Sequence, residues 1–129
     1  MKIKILTSLI LCALLFTGCG NKQANSNYSA DSRALIQKVG DTFSIKLESN
    51  PTTGYSWSLA EPLSEILQKV SNEYEPYNTS GNIVGSGGTE IWTFKAIAKG
   101  NTTLIFQYAR PWEKDVPPIK TETYQITVE

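Results

Sequence analysis

From residue 41 onward the apolar side chains fall at every second position. Phe43, Ile45 and Leu47 alternate with Thr42, Ser44, Lys46 and Glu48, the period of a strand with one face in a core and the other in water. The same alternation returns with Tyr55, Trp57 and Leu59, with Trp92, Phe94, Ala96 and Ala98, with Leu104, Phe106 and Tyr108, and with Tyr124, Ile126 and Val128. Residues 35–39 read as an early edge strand. Residues 67–74 read as another, although Ile66, Leu67 and Val70 also suit one helical turn after Pro62. Turn formers separate these runs: Asn50 with Pro51, the glycines at 85, 87 and 88, Gly100 with Asn101, and the pair Pro117 and Pro118.

About seven short strands at this spacing predict an all-β fold, two packed antiparallel sheets forming a sandwich that resembles the immunoglobulin architecture. Trp57 and Trp92 fall on inward phases and are expected to fill its centre. A chain that alternates direction places its second-to-third, fourth-to-fifth and sixth-to-seventh connections at one end. Those three connections have unusual composition: residues 50–57 (NPTTGYSW), 85–90 (GSGGTE) and 110–112 (RPW). Gly and Pro are poor strand-interior residues, so their concentration in three turns marks a working surface on a plain scaffold.

The first residues stand outside this pattern. Lys2 and Lys4 precede an apolar run, residues 5–16, and then the small residues Thr17 and Gly18, the order of a secretory signal. The run is short for a membrane span. Residues 15–19 (LFTGC) resemble a bacterial lipoprotein box, with Phe16 where Leu is more usual; the resemblance implies lipid on Cys19. The expected organisation is a signal over 1–18, a lipidated Cys19 with a polar tether over 19–34, and a folded domain over 35–129. The expected location is the extracytoplasmic face of a bacterial membrane, tethered through Cys19, or secretion without the lipid.

Charge and chemistry narrow the function further. Cys12 leaves with the signal and Cys19 takes lipid, so the folded part has no thiol for a disulfide, a metal or catalysis. Without Lys2 and Lys4, 10 basic residues face 12 acidic ones, a formal charge of −2 that offers nucleic acid no footprint. There is no histidine, which removes His-based triads and zinc sites. The acids Glu61, Glu65, Glu73, Glu75, Glu90, Glu113, Asp115 and Glu122 are scattered and read mostly as solvated, with no sign of a facing pair. A binding protein is expected rather than an enzyme, monomeric and without cofactor.

The three ordered motifs, NPTTGYSW, GSGGTE and RPW, closely resemble those of the chagasin family, over roughly residues 39–128. The resemblance implies reversible inhibition of papain-like cysteine proteases by three loops wedged into and around the active-site cleft. It implies that Thr52 and Thr53 form the tip that enters the catalytic centre, with Asn50, Pro51, Gly54 and Tyr55 shaping it. Gly85, Gly87, Gly88 and Thr89 would approach along their backbone, and Arg110, Pro111 and Trp112 would flank the cleft. On the residues alone, Asn50 can brace its loop from within, Gly can come close to another backbone, and Trp and Arg are enriched at binding hot spots. A cell-surface module for carbohydrate or protein, using Trp112 and Tyr55 as platforms, is the alternative. A structural envelope lipoprotein is a third.

Overall fold

The computed structural model describes residues 32–77, 80 and 85–129. Among these residues, seven strands run β1 (Ser32–Gln37), β2 (Thr42–Ser49), β3 (Ser56–Leu59), β4 (Leu67–Pro76), β5 (Gly88–Ala96), β6 (Gly100–Ala109) and β7 (Lys120–Val128), with one 3-10 turn at Pro51–Thr53. They form a four-stranded sheet in the order β1-β7-β6-β3 and a three-stranded sheet in the order β2-β5-β4. Strands β1 and β7 both stand at odd places in an alternating chain, so as neighbours they run parallel; the other pairs are antiparallel.

The alternation seen in the sequence closes the space between the sheets. Ile45 and Leu47 from β2, Trp92, Phe94 and Ala96 from β5, and Leu104, Phe106 and Tyr108 from β6 are all buried. Trp92 meets Phe106 edge to face across the sheets with centroids 5.2 Å apart, and Phe106 meets Tyr124 at 5.9 Å. Such pairs add to the burial of their area. Trp57 is also buried, and its indole N–H donates to the Glu48 carbonyl at 2.8 Å. The two inward tryptophans thus sit where the period placed them.

Several boundaries differ from expectation. Strand β1 starts at Ser32, so residues 32–34 of the expected tether lie in the sheet, where Ser32 to Gln37 pair with Thr123 to Val128. Pairing with β7 supplies their backbone partners, which composition cannot reveal. The strand read over residues 67–74 is present and runs on to Pro76, not the alternative helical turn, with an irregularity between Lys69 and Ser71 that accommodates Val70. Strand β5 stops at Ala96, and Ala98 is exposed, because Ile97 and Ala98 turn their N–H groups to the Ile66 carbonyl. The expected signal, Cys19 and residues 20–31 lie outside the described residues.

On the β1–β7 face, Tyr124 donates to Glu122 at 2.7 Å and accepts from Arg33 at 3.1 Å. Burial, reinforced by the neighbouring Glu122 carboxylate and opposed by Arg33, pushes the Tyr124 phenol up to about 12 from 10.0.

Candidate functional site

Register places the three motif loops together. Ser49 pairs with Gly88, Gly88 with Pro76, Ser56 with Ala109, and Tyr108 with Lys120, so the connections that begin at residues 50, 77 and 110 leave the same end of the sandwich, the described part of the second being residues 77, 80 and 85–87. We refer to them as loops 1, 2 and 3.

Loop 1 is built around Asn50. Its backbone N–H donates to the Tyr108 hydroxyl at 2.8 Å, fixing the start of the loop to β6. Its side-chain oxygen caps the 3-10 turn, accepting from the Thr52 N–H at 3.3 Å and from the Thr52 hydroxyl. Its backbone carbonyl accepts from the Thr53 N–H at 3.1 Å and the Thr53 hydroxyl at 2.6 Å. Pro51 supplies the fixed φ at the first turn position. Gly54 closes the turn at φ +82°, a conformation that strains any residue with a Cβ. Pro51, Thr52 and Thr53 are exposed, so the tip is a short, internally bonded projection.

Loop 2 rests on loop 1. The Asn50 amide donates to the Gly85 carbonyl at 3.0 Å, and a Cβ on Gly87 would lie 3.1 Å from the Ser49 carbonyl. Gly88 and Thr89, expected within the loop, are the first residues of β5. Gly88 is buried between strands: a Cβ there would collide with the Glu75 carbonyl and the Tyr74 ring.

Loop 3 folds across loop 1 from the other side. Arg110 Nε donates to the Thr53 carbonyl at 3.1 Å, Nη1 pairs with Glu113 at 3.1 Å, and the guanidinium carbon lies 4.5 Å from the Tyr55 ring centroid. Tyr55 in turn packs on Tyr108 at 5.4 Å and Tyr108 on Trp57 at 4.8 Å, an aromatic column from loop to core. The Trp112 indole leans its six-membered ring against Gly54, where a Cβ would collide with it. It is nevertheless 67% exposed, and Pro111 beside it is exposed too. A cavity of about 430 Å³ opens behind loop 1, with Asn50, Tyr55, Gly87, Tyr108 and Ile119 in its wall.

One acid departs from the solvated reading. Glu90 is only 9% exposed, accepting from the Ser49 hydroxyl at 2.8 Å and from the Trp92 indole N–H at 3.2 Å. The reason is phase: Glu90 stands two residues before Trp92 and four before Phe94, on the inward face of β5. Two neutral donors satisfy the carboxylate where water is excluded. Ser49 likewise continues the inward series Ile45, Leu47. That shared phase was the available signal for both residues, and charge argued against it. Glu113 and Tyr108, which brace the loops, gave no comparable signal. Among the described residues, no group of three or more His, Cys, Asp or Glu is placed to hold a metal ion.

The chain was compared with known proteins. The family model described as chagasin family peptidase inhibitor I42 matches residues 37–128. Amoebiasin-2 of Entamoeba histolytica is 30% identical over 99 residues, covering 76% of this chain and 79% of that protein. Chagasin of Trypanosoma cruzi is 36% identical over 82 residues, covering 60% and 73%. Among solved structures, a cysteine protease inhibitor from Entamoeba histolytica superposes with a TM-score of 0.68 at 26% identity, covering 76% of this chain and 87% of that one. Leishmania mexicana ICP superposes with a TM-score of 0.58 at 33% identity, covering 77% and 90%.

Proposed function

Because the chain belongs to the chagasin family of peptidase inhibitors, whose members are inhibitors and not enzymes, we propose that it reversibly inhibits papain-like cysteine proteases by occluding their cleft. The observation that carries this reading is the convergence of three loops on one end, with loop 1 gripped from both sides. Loop 1 projects as a 3-10 turn whose donors are already bonded to Asn50 and Pro51. A bent, self-bonded tip of this kind enters a cleft without offering the extended peptide that a protease cleaves. The Thr52 and Thr53 hydroxyls hold that shape from within.

Loop 2 brings Gly85 and Gly87 close to the protease backbone, since neither carries a side chain to hold it off. Loop 3 offers the exposed Trp112 as an aromatic face beside the cleft. Since the loops are bonded to one another before contact, little ordering entropy is lost on binding, which favours affinity. Lipid on Cys19 and tethering to the outer face of a bacterial membrane belong to the same proposal and rest on the signal and the LFTGC motif. Mass spectrometry of the mature protein would detect the acyl groups.

The test is titration of papain with the purified protein. Activity is expected to fall linearly to zero at one equivalent, to return on dilution, and to leave the inhibitor uncleaved on a gel. Full protease activity at excess protein, or a cut within residues 50–55, refutes the reading.

A further inference from the structure

Arg110 carries the inference. It stands in an exposed motif, yet two of its guanidinium nitrogens are already bonded within the protein. Nε donates to the Thr53 carbonyl at 3.1 Å, Nη1 is paired with Glu113 at 3.1 Å, and the guanidinium lies 4.5 Å from the centre of the Tyr55 ring. Arg110 is half-buried, whereas Trp112 two residues later is exposed.

The contacts converge on one place. Thr53 is the last residue of the 3-10 turn and Gly54 follows it in the left-handed region. Arg110 holds the Thr53 carbonyl, and the Trp112 indole rests on the next α-carbon. Loop 3 therefore grips two consecutive residues of loop 1 by a charge-assisted hydrogen bond and by an aromatic face. Glu113 completes the clasp, since its N–H donates to the Arg110 carbonyl at 3.1 Å while its carboxylate holds the guanidinium. The tip of loop 1 has no ladder partner. The Asn50 bonds to Tyr108 and to loop 2 anchor its base, and this clasp sets where its far end sits relative to loop 3.

We propose that Arg110 is a positioning residue of the inhibitory edge: it sets the spacing between the loop 1 tip and Trp112 and does not itself bind the protease, with Glu113 acting only through it. This rests on the inhibitor reading for its effect on affinity, but the clasp exists in the free protein and can be tested there. Lys cannot replace Arg, because a single ammonium cannot bond Thr53, pair with Glu113 and lie flat over Tyr55 together.

The experiment combines NMR of the free protein with papain inhibition for Arg110→Ala, Arg110→Lys, Glu113→Gln and the Arg110→Ala/Glu113→Gln pair. In the free protein, the Trp112 ring packed against Gly54 should shift the Gly54 signals. Both Arg110 variants should move them toward ordinary glycine values, while the buried Trp57 indole signal stays in place and reports an intact core. Inhibition should weaken about tenfold or more for both Arg110 variants. Glu113→Gln should weaken it less, and should add nothing once Arg110 is absent. Gly54 signals unmoved in Arg110→Ala overturn the proposal, and so does Glu113→Gln adding its full effect to Arg110→Ala. If the unaltered protein fails to inhibit papain, the inhibitor reading falls, and the Gly54 signals alone decide the clasp.

Discussion

Trp112→Ala separates a residue that serves binding from one that serves folding. A Trp side chain presents roughly 150–250 Å², and 67% of this one faces water, leaving about 100–170 Å² that a partner can cover. At about 25 cal/mol per Å² this corresponds to about 3 kcal/mol if the indole is fully covered in the complex. The expected consequence is a rise in the inhibition constant for papain of roughly a hundredfold. Stability should hardly change, because most of the residue faces water, and the loss should stay within ~1 kcal/mol. The assay is paired: tight-binding titration of papain and urea unfolding followed by the fluorescence of the two buried tryptophans, both on the same preparation. An inhibition constant within about threefold of the original would remove Trp112 from the interface. A stability loss equal to the affinity loss would make the indole a structural brace instead.

Other outcomes follow from the packing. Gly88→Ala should destabilise by about 1–3 kcal/mol or more, since the methyl meets the Glu75 carbonyl and the Tyr74 ring between β4 and β5; a lowered urea midpoint checks it, and an unchanged one refutes the contact. Glu90→Leu should cost about 1–3 kcal/mol for each donor left unpaired, Ser49 and the Trp92 indole, read from the same unfolding curves. Tyr124 titrates at about 12 in the folded protein against 10.0 as its ordinary value. Its neutral form is therefore favoured by folding: that contribution is fully present below pH 10 and is lost as pH rises through 12. Unfolding free energies measured from pH 9 to 12 should fall more steeply for the unaltered protein than for Tyr124→Phe.

The candidate site was partly legible in the sequence because turn chemistry is local. Pro51 fixes its own φ, Gly54 tolerates a positive φ without help, and Asn50 reaches an N–H two residues on, so loop 1 could be read as a braced turn from six letters. Arg110 could be read only as a donor. That its acceptor is the Thr53 carbonyl, 57 positions earlier, depends on β3 lying beside β6. Loop 2 was read one element too long: Gly88 and Thr89 look like loop residues by composition, yet Gly88 is in β5 because only a hydrogen fits beneath Tyr74.

The sequence alone determined the strands with a two-residue period and the residues that face the core. It did so because burial of one face is a property each strand carries along its own length. Phe43 to Leu47, Trp92 to Ala96 and Leu104 to Tyr108 needed no neighbour to be assigned. Tertiary structure decided what depends on a partner from elsewhere in the chain. Residues 32–34 are a strand because β7 offers them hydrogen bonds, and residues 67–76 are a strand because β5 does. Glu90 is buried because Ser49 and Trp92 donate to it. Hydrophobic period is written locally, whereas the satisfaction of polar groups is settled between segments, and the edge formed by the three loops is made of the second kind of contact.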